Sequence, residues 1–128
     1  MRGLEIFNGK KVLITGHTGF KGSWLTIWLS CLGAKVVGVS NNEVTNPSIF
    51  SVSKISSIVD DYRLDIRNAK EIKLLVESVQ PDFIFHLAAQ SLVRPSYDSP
   101  LETMMTNAIG TANILDSLRA LNKKVVAI

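Results

Sequence analysis

The sequence predicts an α/β fold, a doubly wound parallel sheet of about five strands with flanking helices. Three observations carry this. Strand-type apolar runs alternate with helical segments along the whole chain, and the first run leads straight into three glycines at three-residue spacing. Small, polar or acidic residues that could meet a ligand fall at the carboxyl ends of the strands. In such a sheet the ligand sits past those ends, where the strand order reverses.

Taken in order, Lys11 to Thr15 alternates little, as a strand buried on both faces does. Gly16-His17-Thr18-Gly19-Phe20-Lys21-Gly22 then forms a tight turn opening a helix. Phe20, Trp24, Trp28 and Leu32, with Leu25 and Leu29 beside them, are expected to be its buried face, and Gly33 its C′ residue. Lys35 to Ser40 reads as a second buried strand. From Asn41 to Ser57 the pattern breaks into a loop, with a weak helical turn around Ile49, Phe50, Val52 and Ile55. A third strand is expected from Ser57 to Leu64, interrupted by Asp60 and Asp61.

Asn68, as N-cap with Glu71 three residues on, starts the next helix. Ile72, Leu75, Val76 and Val79 are its buried stripe, and Pro81 stops it. Asp82 to Leu87 is a fourth strand, followed by a loop from Ala88 to Asp98. Ser99-Pro100-Leu101-Glu102 reads as a capping box with Pro at the first helical position. The long helix it opens is expected to carry Leu101, Met104, Met105, Ala108, Ile109, Ala112, Leu115 and Leu118 as its apolar face. Lys124 to Ile128 is a fifth strand.

A chain of 128 residues, 46% hydrophobic and 20% charged, has the composition of one globular domain. Its net charge of +3 is scattered, without a basic stripe and interleaved aromatics, which argues against nucleic-acid binding. Cys31 is the only cysteine, so there is no internal disulfide or cysteine metal cluster, and a buried thiol is expected. The start is charged rather than a signal peptide, and no apolar run approaches the roughly 20 residues that span a bilayer. A cytoplasmic location is the expectation.

The glycine pattern after a buried strand and before a helix is the setting for a phosphate or dinucleotide cradle. An acidic residue would ordinarily hold the adenosine ribose at the end of the second strand. Ser40, Asn41 and Asn42 stand there instead, so NAD and NADP are not separated, and the lack of a following arginine counts against a 2′-phosphate. Asp65 could accept the adenine amino hydrogen while Ile66 covers the ring, or could simply enter the next helix. Leu87, Ala88 and Ala89 let a flat cofactor pass close to the backbone. Gln90, Ser91, Arg94 and Tyr97 crowd the loop beyond; Arg94 either pairs with a substrate phosphate or is a surface arginine. Asn107, counted with the cofactor-binding set, is expected to hydrogen-bond that loop. His86 reads as a satisfied core histidine. His17 reads as a backbone support or phosphate-edge residue, with no paired carboxylate.

Residues 15–25, 46–50, 65–67, 85–97 and 106–111 together resemble the CDP-glucose 4,6-dehydratases, within the extended short-chain dehydrogenase/reductases. Lys21-Gly22-Ser23-Trp24 and Arg94-x-Ser96-Tyr97 are the parts that point to this branch. The resemblance implies a Rossmann-type domain and a tightly held NAD, with NADP not excluded. It implies oxidation of a nucleotide sugar at C4, loss of water across C5–C6 and return of hydride to C6. The cofactor set would be Gly16, His17, Thr18, Gly19, Phe20, Gly22, Ser40, Asp65, Ile66, Leu87, Ala88, Ala89, Gln90 and Asn107. The substrate set would be Gln90, Ser91, Arg94 and Tyr97.

The resemblance also implies a homodimer or higher oligomer, formed partly through the helix after the fourth strand. Such enzymes use a Ser or Thr and a Tyr-x-x-x-Lys, yet Tyr62 is followed by Ile66 and Tyr97 by Leu101. Residues 1–128 are therefore expected to be the N-terminal, NAD(P)-binding portion of a longer enzyme, inactive alone. The alternatives are a stand-alone dinucleotide-binding module, or an enzyme of the same kind acting on another nucleotide sugar.

Overall fold

The computed structural model describes residues 3–43 and 45–128. Five parallel strands, β1 (Lys11–Thr15), β2 (Lys35–Ser40), β3 (Asp60–Arg63), β4 (Phe83–His86) and β5 (Val126–Ala127), lie in the order β3-β2-β1-β4-β5. Strand β1 pairs with β2 on one side and β4 on the other, so the order reverses at its end. The expected architecture is the one observed.

Strand β1 reads as an unbroken apolar run because both faces are covered. Leu13 joins Val37, Val39 and Ile84 in a core under α3 (Ala69–Val79) and α6 (Gly110–Ser117). Val12, Ile14 and Val36 pack on the other side with Leu29 of α1 (Phe20–Cys31). Ile72, Leu75, Val76 and Val79 of α3 are buried as expected, and the Asn68 side chain accepts from the Glu71 amide.

Helix α1 departs from expectation. Its buried residues are Gly22, Ser23, Thr26 and Leu29, while Phe20, Trp24 and Trp28 are 71%, 56% and 49% exposed. The glycine turn sets the helix phase. Gly22 must face Gly16, and Trp24, two residues on, is rotated away by about 200°. Cys31 is likewise exposed rather than buried. Gly33 follows the helix in the left-handed conformation, φ 83°, as expected.

The helix after β4 shows the same reversal. The chain from Pro100 runs through α5 (Pro100–Met104), a π-helical turn (Met105–Ile109), α6 and a 3₁₀ turn (Leu118–Ala120). Gly110, Ile114 and Ser117 face inward; Leu101, Met104, Met105, Ile109 and Leu115 are exposed. Gly110 sets the phase, since a Cβ there would lie 2.8 Å from Ile66 Cγ1.

Other boundaries shift. Strand β3 begins at Asp60, and the two acids belong to it. A short helix, α4 (Val93–Asp98), replaces much of the expected loop, and α2 (Ile49–Val52) forms the weak helical turn. Ser99 is the cap residue of α5 but makes no side-chain capping bond, so the capping box is not formed. Strand β5 is shorter than the expected 124–128, and no described helix is long and apolar enough to cross a membrane.

Candidate functional site

At the end of β1 the chain turns through Gly16, whose φ of 75° suits glycine, and whose amide donates to Val39 O at 2.8 Å. The Gly19 amide donates back to Gly16 O at 3.0 Å, and Ser23 closes the first turn of α1 with its amide on Gly19 O (2.8 Å) and its hydroxyl on His17 O (3.0 Å). A Cβ at Gly16 would lie 2.8 Å from the Ala88 amide nitrogen, and one at Gly22 would strike the Gly16 carbonyl and lie 2.8 Å from His17 Cα. Only glycine fits the two positions. The amides of Phe20, Lys21 and Gly22 have no intrahelical acceptor, and the positive end of the helix dipole adds to their attraction for an anion.

This turn forms one wall of a cleft of about 920 Å³ along the carboxyl ends of the strands. Gly16, Thr18, Gly19, Phe20, Gly22, Ser40, Asp65, Ile66, Leu87, Ala88, Ala89 and Ser91 line it, together with Lys21, Asn41, Asn42, Arg67, Glu102 and Thr106. His17, Gln90, Arg94, Tyr97 and Asn107, expected at the site, do not. Tyr97 is 82% exposed on α4, and Arg94 shares that exposed helix.

His17 is fully buried beneath the turn, with Nε2 2.9 Å from Asp61 Oδ1 of β3 and its ring edge-on to Phe50 at 5.2 Å. It does have a paired carboxylate, and the ring's hydrogen bond goes to that side chain. Burial pushes its pKa down, against an opposing pull from Asp61. The strand β2 residue beneath the ring is Gly38, where a Cβ would lie 2.7 Å from His17 Nε2.

Asn107 and Gln90 hold each other. The Gln90 amide donates to Asn107 Oδ1 at 2.8 Å, and Asn107 Nδ2 donates to Gln90 O at 2.9 Å. Asn107 sits in the π-helical turn, and the two bonds fix the loop that follows Ala89. His86 is satisfied at both nitrogens. Thr15 Oγ1 accepts from the Leu87 and Ala88 amides at 3.1 Å each, so its own hydrogen goes to His86 Nδ1 at 2.7 Å. His86 Nε2 therefore donates to Thr111 Oγ1 (2.8 Å), which donates to Asn107 O at 2.6 Å. Sequence reasoning missed Thr15 and Thr111, whose roles depend on contacts across the fold.

At the far end of the cleft, Arg67 grips Asp65, with Nε 2.9 Å and Nη2 2.6 Å from Oδ2, and reaches Glu102 Oε1 at 3.2 Å. The Arg67 hydrogen bonds hold the Asp65 carboxyl below its usual range, and Asp65 in turn raises the arginine pKa. Asn41 Nδ2 adds a contact of 3.3 Å to Asp65. Arg67 was legible as a neighbour of Asp65 in sequence, but its reach to α5 was not. Among the described residues, no group of three or more His, Cys, Asp or Glu is placed to hold a metal.

The family model described as GDP-mannose 4,6 dehydratase matches residues 13–128. The chain is 40% identical over 115 residues to a CDP-glucose 4,6-dehydratase of Salmonella typhimurium, covering 90% of this chain and 32% of that protein. It is 35% identical over 120 residues to a GDP-mannose 4,6-dehydratase of Yersinia enterocolitica, covering 86% and 31%. Among solved structures it is similar to a UDP-glucose 4-epimerase of Thermus thermophilus in complex with NAD (TM-score 0.75, 27% identity, 85% of this chain and 33% of that one). It is also similar to a UDP-glucose 4-epimerase of Thermotoga maritima with UDP-glucose (TM-score 0.76, 28% identity, 84% and 33%). The chain spans about a third of the length of these relatives.

Proposed function

We propose, for a chain that belongs to the family of the GDP-mannose 4,6 dehydratase model, that it is the NAD-binding part of a sugar-nucleotide 4,6-dehydratase, with CDP-glucose as the sugar nucleotide. The observation that carries this is the glycine cradle at the reversal of strand order. Gly16 and Gly22 leave no room for a Cβ, and the open amides of α1 face the cleft where a pyrophosphate would lie. The choice of sugar nucleotide is supported by 40% identity to the Salmonella enzyme, against 35% to the Yersinia one.

In this reading Gly16, Thr18, Gly19, Phe20 and Gly22 hold the pyrophosphate, and Ser40 meets the adenosine ribose. Ile66 walls the adenine side, beside Asp65. Leu87, Ala88 and Ala89 let the nicotinamide half pass close to the backbone, with Gln90 and Asn107 fixing the loop behind it. Bound nicotinamide supplies a reversible hydride acceptor for oxidation at C4 and reduction at C6. Proton transfer at the sugar belongs to a Ser or Thr and a Tyr-x-x-x-Lys in a longer protein of which these residues are the N-terminal portion. Ser91 lines the cleft and would meet the substrate, whereas Arg94 and Tyr97 do not line it.

The exposed apolar side of α5 and α6 supports a homodimer built partly on that helix, and in this reading the enzyme works in the cytoplasm. The test is calorimetric titration of the chain with NAD, with CDP-glucose turnover followed in parallel. Binding without turnover is expected. No NAD binding at millimolar concentration overturns the cofactor reading, and steady turnover overturns the assignment of proton transfer to another part of the protein.

A further inference from the structure

We propose that His86 is a positioning residue for the nicotinamide end of the cleft. A neutral imidazole with its hydrogen on Nε2 joins Thr15 to Thr111, and through them braces the backbone of residues 87–90 at both ends. This rests on the cofactor reading above and deepens it. Leu87, Ala88 and Ala89 line the cleft, whereas Thr15, His86 and Thr111 do not, so any effect of these three on a ligand passes through that backbone.

Thr15 and Thr111 demand the same tautomer, each for its own reason. The lone pairs of Thr15 Oγ1 receive the Leu87 and Ala88 amides at 3.1 Å each, the Leu87 amide being shared with Thr15 O. The Thr15 hydrogen is left for His86 Nδ1 at 2.7 Å, and that nitrogen is therefore bare. On the other side, the Thr111 hydroxyl donates to Asn107 O, a carbonyl that can only accept, at 2.6 Å. Thr111 Oγ1 is then the acceptor in its 2.8 Å contact with His86 Nε2, which carries the hydrogen. The opposite tautomer would aim a hydrogen at an oxygen already holding two amides, and set lone pair against lone pair at Thr111.

The two hydroxyls grip opposite ends of the same stretch. Thr15 holds the amides of Leu87 and Ala88, where Gly16 comes so close that a Cβ would lie 2.8 Å from the Ala88 nitrogen. Thr111 holds the carbonyl of Asn107, whose side chain makes both bonds to the Gln90 backbone. His86 connects β1 to α6 behind the cleft floor, and its own amide donates to Ile128 O of the outer strand at 2.8 Å. A core histidine needs only to find partners; here both partners are the residues that fix the floor.

The first test is the imidazole nitrogen NMR spectrum of the wild-type chain, labelled at its two histidines and held near pH 8, with His86→Asn identifying the signal. A bare Nδ1 and a protonated Nε2 are expected at His86. The second is calorimetric titration with NAD and with ADP-ribose, which lacks only the nicotinamide ring, for the wild type, Thr111→Val and Thr111→Ser. Thr111→Val is expected to lower the affinity for NAD relative to ADP-ribose at least about fivefold, the worth of one hydrogen bond, and Thr111→Ser to stay within about twofold of the wild type. A merely structural role would weaken both ligands alike and leave that ratio unmoved. An Nδ1-protonated His86, a ratio unmoved in folded Thr111→Val, or a serine that fails to restore it overturns the inference while leaving NAD binding intact. The tautomer is read on the wild type, so the inference stays open to refutation if Thr111→Val does not fold. Failure of both NAD and ADP-ribose to bind defeats the cofactor reading itself, and the inference with it.

Discussion

His17 Nε2 lies 2.9 Å from Asp61 Oδ1, joining the glycine turn to a strand 44 residues further along the chain. The imidazole is fully buried, and Asp61 is its only side-chain hydrogen-bond partner among the described residues. Asp61→Ala strips that partner and is expected to destabilise the fold by about 1–3 kcal/mol, the cost of an unpaired buried polar group. Asp61→Asn, which keeps an acceptor, should lose less. Denaturant midpoints of the two variants check the ordering.

The two faces of α1 make opposite predictions. Trp24→Ser, on the exposed face, should change stability by no more than about 0.5 kcal/mol. Leu29→Ala, at 1% exposure, should cost about 2–5 kcal/mol through lost burial and a cavity. Urea unfolding of both variants decides which face is the core.

Asn107→Ala removes both bonds that hold the Gln90 backbone. A loss of about 1–3 kcal/mol is expected. Amide hydrogen exchange at Gln90 should speed up locally, while exchange within β1 and β2 follows only the global change.

Acid should act in two stages. Burial lowers the pKa of both His17 and His86 from the ordinary 6.5, so the unfolded chain binds more protons than the folded one. The stability they contribute is complete above that value and is lost as pH falls below it toward their folded pKa values. Asp65 and Asp82 are lowered from 3.8 by Arg67 and Lys123, so their contribution is complete above that value and drains away as pH falls through their folded pKa values. Thermal midpoints measured from pH 8 downward should show both declines, and a flat profile between pH 7 and 5 would contradict the histidine stage.

The parallel sheet and the glycine turn were legible because β1 and β2 are apolar on both faces and the glycines follow at once; the strand order β3-β2-β1-β4-β5 came from the structure. The helix faces were not. In α1 and α6 the buried stripe is marked by Gly22, Ser23 and Thr26, or by Gly110 and Ser117, where close approach matters more than apolar area. A reading that follows large apolar residues selects Phe20, Trp24, Met105 and Leu115, which face solvent. The cleft residues next to a glycine or strand end were recognisable in place. Arg67–Glu102, His17–Asp61 and Thr15–His86–Thr111 are pairings across the fold, and local sequence carries no sign of them.

The approach of Gly16 to Ala88 has a consequence for the order in which the cleft assembles. The Thr18–Ser40 contact spans 22 residues and needs only β1 and β2 side by side. The hydroxyl of Thr15 reaches the Ala88 amide across 73 residues, after β4 has docked on the other flank of β1. Loop closure costs more entropy for the longer span, and non-local pairing slows folding. Closing the end of the cleft beside Ala88 therefore costs more chain entropy than closing the end beside Ser40, and the two ends differ in how much of the chain must be in place before they exist.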